Sequence, residues 1–161
     1  MTDSEPQKQL AAALGRIPSG IFVVTARRGQ SETGILASWV QQCGFDPPSI
    51  SLAFRRDRII VPWLTVGAPI TVNILDDGQT DMIVHFGRGF ALDEPAFDGL
   101  DVDRPNGEAP ILCEAVAYLQ CTISGAIPAG DHELFVGRVV AGKILNEGHP
   151  MVHIRRSGFH Y

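Results

Sequence analysis

The sequence has few cysteines, no excess of basic residues and no long apolar run, and each absence excludes a class of protein. Its three cysteines, Cys43, Cys113 and Cys121, cannot all pair and form no Cys-x-x-Cys motif, which predicts a reducing, cytoplasmic location rather than a disulfide scaffold. The net charge of −5 provides no basic field for nucleic acid. No apolar run approaches the roughly 18 residues of a membrane span, and the first residues lack a signal-peptide pattern.

Several cofactor and catalytic motifs are also missing. There is no G-x-G-x-x-G after a strand, no phosphate-binding G-x-x-x-x-G-K-[ST] loop and no G-x-S-x-G nucleophile turn. His149, His153 and His160 raise the question of a metal, but Pro150 and the apolar residues after it favour a strand, on which His149 and His153 lie too far apart for one ion. We therefore predict no metal site, and any nicotinamide nucleotide must bind without a Rossmann domain.

Many short strands and a few short helices predict a mainly β fold, a β-barrel in one domain of 161 residues. Residues 1–10 are expected to form an N-terminal extension or the start of the first helix, and residues 11–161 the domain itself. The sequence predicts helices over 4–15 and 80–86 with a helical turn at 61–66, a long loop over 87–110, a turn at 128–132, and strands over 20–26, 32–38, 49–54, 70–75, 115–124, 134–145, 151–154 and 159–161.

The most informative segment begins with residues 34–48, GILASWVQQCGFDPP, and continues through an apolar run to Arg55, Arg56 and Arg58. Small residues such as Ala37, Ser38 and Gly44 let a planar ring approach the backbone. Arginines where a strand ends and a helical turn begins favour a phosphate. This order suits a flat cofactor with a phosphate tail. The alternatives are a solvated loop in which Asp57 pairs with one arginine, and small residues that only let strands pack closely.

Two further residues have both a functional and an ordinary interpretation. Residues 130–132, Gly-Asp-His, predict a turn that presents the imidazole of His132, which could position a nicotinamide or polarise a carbonyl. The ordinary interpretation is an exposed histidine with no role. Cys43 lies next to Gly44 and could approach a cofactor, but a free cysteine is most often an ordinary core residue.

Short matches to one known family occur in order along the chain. They are 13–20 (ALGRIPSG), 36–40 (LASWV), Phe45 with Pro47, Asp57-Arg58, 72–75 (VNIL), His85-Phe86 with Phe90, Gly107 with 109–112 (APIL), 117–119 (AYL), 130–132 (GDH) and the ending 153–161. On these residues the chain resembles the flavin reductase family with an FMN-binding split β-barrel. It is most similar to the C-terminal flavin reductase module of cyanobacterial diflavin flavoproteins.

The resemblance implies an NAD(P)H-dependent flavin reductase, a homodimer with FMN or, alternatively, FAD, that serves a separate oxygenase or another electron-acceptor protein. His132 is the catalytic candidate beside the nicotinamide. The cofactor-binding candidates are Leu36, Ala37, Ser38, Trp39, Gln42, Cys43 and Gly44 for the ring and ribityl chain, and Phe54, Arg55, Arg56, Asp57 and Arg58 for the phosphate. Many family members have small hydroxyl residues at the positions of Trp39, Gln42 and Gly44. The alternative function is a non-catalytic FMN-binding electron carrier for a protein partner.

Overall fold

The computed structural model describes residues 4–160, and strands dominate it. Helix α1 spans Glu5–Gly15 and helix α2 spans Thr80–Gly87. The strands are β1 (Ser19–Gly20), β2 (Phe22–Arg28), β3 (Ser31–Ala37), β4 (Val40–Phe45), β5 (Pro48–Arg55), β6 (Pro69–Ile74), β7 (Val102–Asp103), β8 (Ile111–Leu112), β9 (Ala117–Ala129), β10 (His132–Ile144) and β11 (Val152–His153). The prediction of a mainly β fold with a few short helices is confirmed.

Seven of the strands form one antiparallel sheet in the order β3-β2-β6-β9-β10-β5-β4. The sheet curls, because residues of β3 and β5 line the same cavity although the two strands lie near opposite ends of this order. Within the described residues β3 and β4 are edge strands that do not pair with each other, so the barrel is split between them. Two small sheets, β1 with β11 and β7 with β8, lie outside the main one.

Strand β5 shows how the sequence assigns residues to the inside and the outside of the barrel. Ile50, Leu52 and Phe54 are buried, whereas the alternate residues Ala53 and Arg55 are not. Successive side chains of a strand point to opposite faces, so Ala53 and Arg55 lie on the outer face. The inner residues pack with Val24, Val72, Phe135 and others in the main apolar core. The outer face of β5 is therefore free to form part of a binding site.

Helix α2 lies close against β3 because Gly34 has no side chain. A Cβ atom at Gly34 would lie 2.7 Å from Cε1 of Phe86, whose side chain is buried between the helix and the sheet. Any larger residue would push the helix away. This close approach makes α2 the wall of the cavity described below.

A buried asparagine holds β8 onto the main sheet. The Asn73 side chain is fully buried; its Nδ2 donates to the carbonyl of Val23, and its Oδ1 accepts from the Leu112 amide at 2.8 Å. Thr25 and Thr71 add hydrogen bonds to the carbonyls of Pro110 and Ala109. The long connection after α2 is thus anchored by buried polar side chains.

We expect Asn73→Ala to lower the free energy of unfolding by about 2–4 kcal/mol, because two buried backbone groups lose their partners at once. Urea unfolding measures the change. Gln30→Ala, at an exposed turn, is the control and is expected to change stability by less than about 0.5 kcal/mol. Equal stabilities of the two variants would contradict the role given to Asn73.

The first helix and most strands agree with the sequence prediction. Ser4 and Gln7 form the expected capping box, and α1 ends at Gly15. Residues 1–3 lie outside the described residues, and the division into an extension over 1–10 and a domain over 11–161 stays a prediction. The predicted helix at 80–86 is α2, one residue longer. The predicted helical turn at 61–66 is a shorter 3-10 turn, Val61–Trp63.

Other expectations are wrong at particular elements. Strand β4 was not expected, because its exposed Gln41, Gln42 and Cys43 give no alternation of apolar and polar residues. The segment 87–110 contains β7 and a 3-10 turn, Pro105–Gly107, rather than only loop. Residues 159 and 160 form no strand, and Tyr161 lies outside the described residues. The predicted turn at 128–132 is only Gly130-Asp131, so β9 and β10 extend further than expected.

Candidate functional site

Three adjoining cavities form a continuous groove along the outer face of the barrel. The central cavity, about 250 Å³, lies between β3, β5 and α2. The arginine cavity, about 390 Å³, shares Ile35, Arg55, Arg58 and Gly89 with the central one. The outer groove, about 350 Å³, shares Ser38 and Ala53 with the central cavity and extends to Trp39 and Leu134. An elongated ligand could therefore contact all three.

The central cavity has a mostly apolar lining, with the small residues Ala37, Ser38 and Ala53 among larger apolar ones. Strand β3 and its extension provide Leu36, Ala37 and Ser38, and helix α2 provides Ile83 and Phe86. The Ser38 Oγ atom is buried and has no hydrogen-bond partner among the described residues. A buried hydroxyl without a partner is uncommon in native proteins and marks a place where a ligand can complete the hydrogen bonding. The cavity therefore suits a flat ligand with a polar edge.

The arginine cavity carries net positive charge. Arg55, Arg58 and Arg88 all line it, together with a single acidic residue, Asp57. Arg55 Nη2 lies 2.5 Å from the Asp57 carboxylate, so these two charges neutralise each other. Within residues 4–160, Arg58 and Arg88 form no salt bridge. Their guanidinium groups are available to a phosphate, which they can bind through paired N–H groups.

His132 is held in a defined orientation beside Trp39 and the end of β5, where it pairs with Arg55 in the register of the sheet. It is the first residue of β10 and is only 8% exposed. Its Nδ1 atom donates to Asp131 Oδ1 at 2.7 Å, and this bond lowers the pKa of the Asp131 carboxyl below its ordinary value. The imidazole lies 4.8 Å from the Trp39 ring, centroid to centroid, and the Arg155 guanidinium lies 4.8 Å from the same ring. The expectation of an exposed turn histidine is therefore wrong.

Most of the cofactor-binding residues predicted from the sequence line the groove. Those that line the central cavity are Leu36, Ala37, Ser38, Phe54, Arg55 and Arg58, while Asp57 lines the arginine cavity and Trp39 the outer groove. Gln42, Cys43, Gly44 and Arg56 line none of the three cavities. Their contact with a cofactor stays a prediction. The sequence interpretation of Cys43 as a core residue is wrong, because Cys43 is exposed on the edge strand β4.

Sequence reasoning missed three contributions to the groove. Arg88 follows α2 and lines the arginine cavity together with Arg58 only because that helix packs on β3. Ile83 and Phe86 look like ordinary core positions of an amphipathic helix. His153 reaches the central cavity because β11 pairs with β1. No local sequence pattern indicates that these residues line the groove, since the segments that carry them lie far apart in the chain.

Over residues 4–160, no helix combines the length and the apolar character that crossing a membrane requires. Within the same range, no three His, Cys, Asp or Glu side chains cluster as the ligands of a metal ion would.

The three cysteines are expected to differ strongly in reactivity towards a thiol reagent at mildly alkaline pH. Burial raises the pKa of the Cys121 thiol to about 12, and burial, with Asp101 nearby, also raises the pKa of Cys113. Because the thiolate is the reactive form, exposed Cys43 should react first and Cys121 only after unfolding. Labelling of the Cys43→Ser variant identifies the fast thiol; fast labelling of folded Cys121 would contradict the structure.

The same labelling tests the role predicted for Gln42, Cys43 and Gly44. If these residues contact the flavin, added FMN slows the modification of Cys43. If FMN leaves the rate unchanged under conditions where it binds, Cys43 lies outside the site.

A split antiparallel barrel carries on its outer face a small-residue cavity that adjoins an arginine-lined one, and this arrangement suits a flat, phosphate-tailed ligand. The chain belongs to the family described as the flavin reductase like domain, which matches residues 14–160. The family resemblance read from the sequence is thereby confirmed.

The chain is 35% identical over 162 residues to a putative diflavin flavoprotein A 6 of Nostoc sp., a match that covers 99% of this chain and 28% of that protein. It is 34% identical over 154 residues to diflavin flavoprotein A 1 of Synechocystis sp., covering 94% of this chain and 27% of that protein. The chain thus spans little more than a quarter of the length of these relatives.

Solved structures share the fold. The NADH:FAD oxidoreductase SgcE6 of Streptomyces globisporus matches with a TM-score of 0.83 and 27% identity, over 98% of this chain and 92% of that one. The flavin reductase PheA2 matches with a TM-score of 0.78 and 22% identity, over 94% of each chain. The predicted split barrel is confirmed by these structures.

Proposed function

We propose that this protein is an NAD(P)H-dependent flavin reductase that binds its flavin in the central cavity. The observation that carries the proposal is the continuity of that cavity, where Ser38 Oγ lacks a partner, with the cavity of Arg58 and Arg88. Membership of the flavin reductase family supports it. So does the likeness to a protein described as an NADH:FAD oxidoreductase.

The residues of the groove fit a flavin mononucleotide, the smallest phosphate-bearing flavin. The planar ring would lie along Leu36, Ala37 and Ser38, where small side chains permit close approach to the backbone and the Ser38 hydroxyl can bond to a polar ring edge. Arg58, at the boundary with the arginine cavity, would hold the phosphate. When bound, the flavin supplies the redox chemistry, and the protein contributes orientation and polar contacts.

The nicotinamide nucleotide is proposed to bind in the outer groove, with His132 and Trp39 beside it. Asp131 accepts the Nδ1 proton of His132, which fixes the imidazole orientation. The Arg155 guanidinium stacks on the Trp39 ring in the same region, and the two together form a flat surface. These residues position the nucleotide; nothing in the groove needs to act as an acid or a base.

The proposal is tested by equilibrium dialysis with FMN and by NADH and NADPH oxidation in the presence of added flavin. Retained flavin together with flavin-dependent oxidation of either nucleotide supports the proposal. If the protein retains flavin but oxidises neither nucleotide, the electron-carrier function is supported instead. If it retains neither FMN nor FAD, both the reductase and the electron-carrier functions are contradicted.

We also propose a homodimer with the flavin near the interface. Three exposed apolar residues support this, Ile17, Val152 and Ile154, which are 61%, 68% and 56% exposed. Val152 belongs to β11, which pairs with β1, and Ile154 and Ile17 lie one and two residues beyond this pair of strands; Ile17 also lines the outer groove. Clustered apolar residues of this kind mark interaction surfaces.

Light scattering at micromolar concentration is expected to give the mass of a dimer, and Val152→Glu to shift it towards the monomer, since a charge at an apolar interface is costly. Val84→Glu, on the exposed side of α2 and 76% exposed, is the matched control and should remain dimeric. A monomeric wild-type protein with flavin bound would contradict the dimer.

A separate oxygenase or another electron-acceptor protein is the proposed destination of the electrons. The relatives that match are more than three times as long as this module, so their other parts have no counterpart in these residues. The proposed location is the reducing cytoplasm, which the three free cysteines support.

A further inference from the structure

His153 is a polar residue of the central cavity to which the proposed function gives no role. It belongs to β11, and the residues on either side of it in the sequence, Val152 and Ile154, are exposed apolar side chains. Successive side chains of an extended chain point to opposite faces, so His153 faces the other way, towards the cavity that it lines. Its imidazole forms no hydrogen bond with residues 4–160. A ligand in the cavity can therefore accept its N–H.

The position of His153 within the cavity follows from its strand partner. His153 pairs with Ser19 of β1, and Ser19 lines the outer groove. Ser38 lines both the outer groove and the central cavity. The imidazole thus belongs to the part of the central cavity that adjoins the outer groove, where Ser38 also lies.

The polar side chains of the central cavity are few. They are Ser38, Arg55, Arg58 and His153, and none of the described residues that line this cavity is acidic. Arg58 is the residue proposed for the phosphate, and Arg55 pairs with Asp57. Ser38 and His153 are the polar side chains that remain for the flavin ring, and each can donate a hydrogen bond.

Reduction changes the charge that the ligand of this cavity carries. A hydride consists of one proton and two electrons, so a neutral oxidised ring that accepts it becomes an anion, while NAD(P)H becomes NAD(P)⁺. The negative charge is shared by nitrogen and oxygen atoms along the polar edge of the ring. A donor placed at that edge stabilises the reduced flavin more than the oxidised one, and a mostly apolar site strengthens the effect.

We infer that the imidazole of His153 donates a hydrogen bond to the polar edge of the bound flavin and thereby raises the reduction potential of that flavin. The inference rests on the proposed function and adds a residue to it. His153 stabilises the product of hydride transfer, whereas His132 positions the nucleotide that delivers the hydride.

The test is the midpoint potential of FMN bound to the protein, measured by stepwise reduction with dithionite in equilibrium with a dye of known potential, so that no nucleotide is needed. His153→Leu should lower the affinity for reduced FMN, relative to oxidised FMN, about tenfold. For two electrons this lowers the potential by about 30 mV. His160→Leu, the same exchange at an exposed position, is the control and should leave the potential unchanged.

Two further variants separate the N–H group from the shape of the side chain. His153→Phe keeps a flat ring without an N–H, and it should lower the potential as His153→Leu does. His153→Gln keeps an N–H donor and should recover most of the loss. A potential of His153→Gln as low as that of His153→Leu, or a shift in only one of the leucine and phenylalanine variants, would assign the effect to shape and contradict the inference.

Three other results would also overturn the inference. One is an unchanged potential in both His153→Leu and His153→Phe. Another is an equal loss of affinity for oxidised and reduced FMN, which would make His153 only a wall of the cavity. The third is a normal potential with a raised KM for NADH or NADPH, which would assign His153 to the nucleotide. Failure of the proposed function is distinct, since the wild-type protein would then retain no flavin or hold a flavin that neither nucleotide reduces.

Discussion

Replacing Arg58 with alanine is expected to weaken FMN binding by about tenfold to a hundredfold while leaving riboflavin binding nearly unchanged. Arg58 lines both the central and the arginine cavity and has no carboxylate partner among the described residues. A charge-assisted phosphate contact contributes roughly 1.5–3 kcal/mol, which corresponds to this range of affinity. Riboflavin lacks the phosphate, so the ratio of the two affinities isolates the contact.

Arg56→Ala provides the sharpest comparison. Arg56 is the neighbouring arginine predicted from the sequence for the same phosphate; both arginines are exposed, but Arg56 lines none of the three cavities. We expect a much smaller loss of FMN affinity than for Arg58→Ala. Equal loss of FMN and riboflavin in Arg58→Ala would mean that the loop had unfolded, and a larger effect at Arg56 would reverse the assignment.

The second large effect is expected for His132→Ala, which should lower kcat/KM for the nicotinamide nucleotide about tenfold, or about 1.4 kcal/mol of transition-state stabilisation. The imidazole is buried against Trp39 and oriented by Asp131, at the start of β10, where His132 pairs with Arg55 of β5. The loss should appear mainly as weaker nucleotide binding. FMN affinity should be largely retained, because His132 does not line the central cavity.

Chemical reduction separates the two ways in which this variant can fail. Dithionite should still bleach the bound flavin fully, which shows that the flavin is present and that only delivery from the nucleotide is impaired. His160→Ala, at an exposed position near the end of the chain, is the matched control. Reduction of His132→Ala at the wild-type rate by both NADH and NADPH would show that His132 has no such role.

The strands with regular apolar alternation could be predicted from the sequence, and the exposed edge strand could not. In β5, Ile50, Leu52 and Phe54 alternate with smaller or polar residues, so both the strand and its buried face follow from the pattern. In β4 the exposed residues 41–43 are polar or small on both faces, and the strand exists because its backbone pairs with β5. Edge strands are specified by their neighbour rather than by their own sequence.

The residues of the candidate site likewise fall into those that the sequence could predict and those that it could not. Ala37, Ser38 and Arg58 belong to one segment of the chain. The order of small residues followed by arginines in that segment therefore predicted a site for a flat, phosphate-tailed ligand. Arg88 is brought to that segment only by the packing of α2 on Gly34, which no local pattern encodes. The burial of His132 depends likewise on Trp39, which lies on a distant part of the sequence. The parts of the site that the sequence did not predict are those that depend on contacts between segments far apart in the chain.

The measurement that tests the central claim most directly is anaerobic mixing of the flavin-loaded protein with NADH and, separately, with NADPH, while the absorbance of the bound flavin is followed. If the protein is a flavin reductase, at least one nucleotide bleaches the flavin completely, with one equivalent consumed per flavin. If neither nucleotide bleaches a flavin that dithionite reduces fully, the protein is an electron carrier, and the proposed function is contradicted.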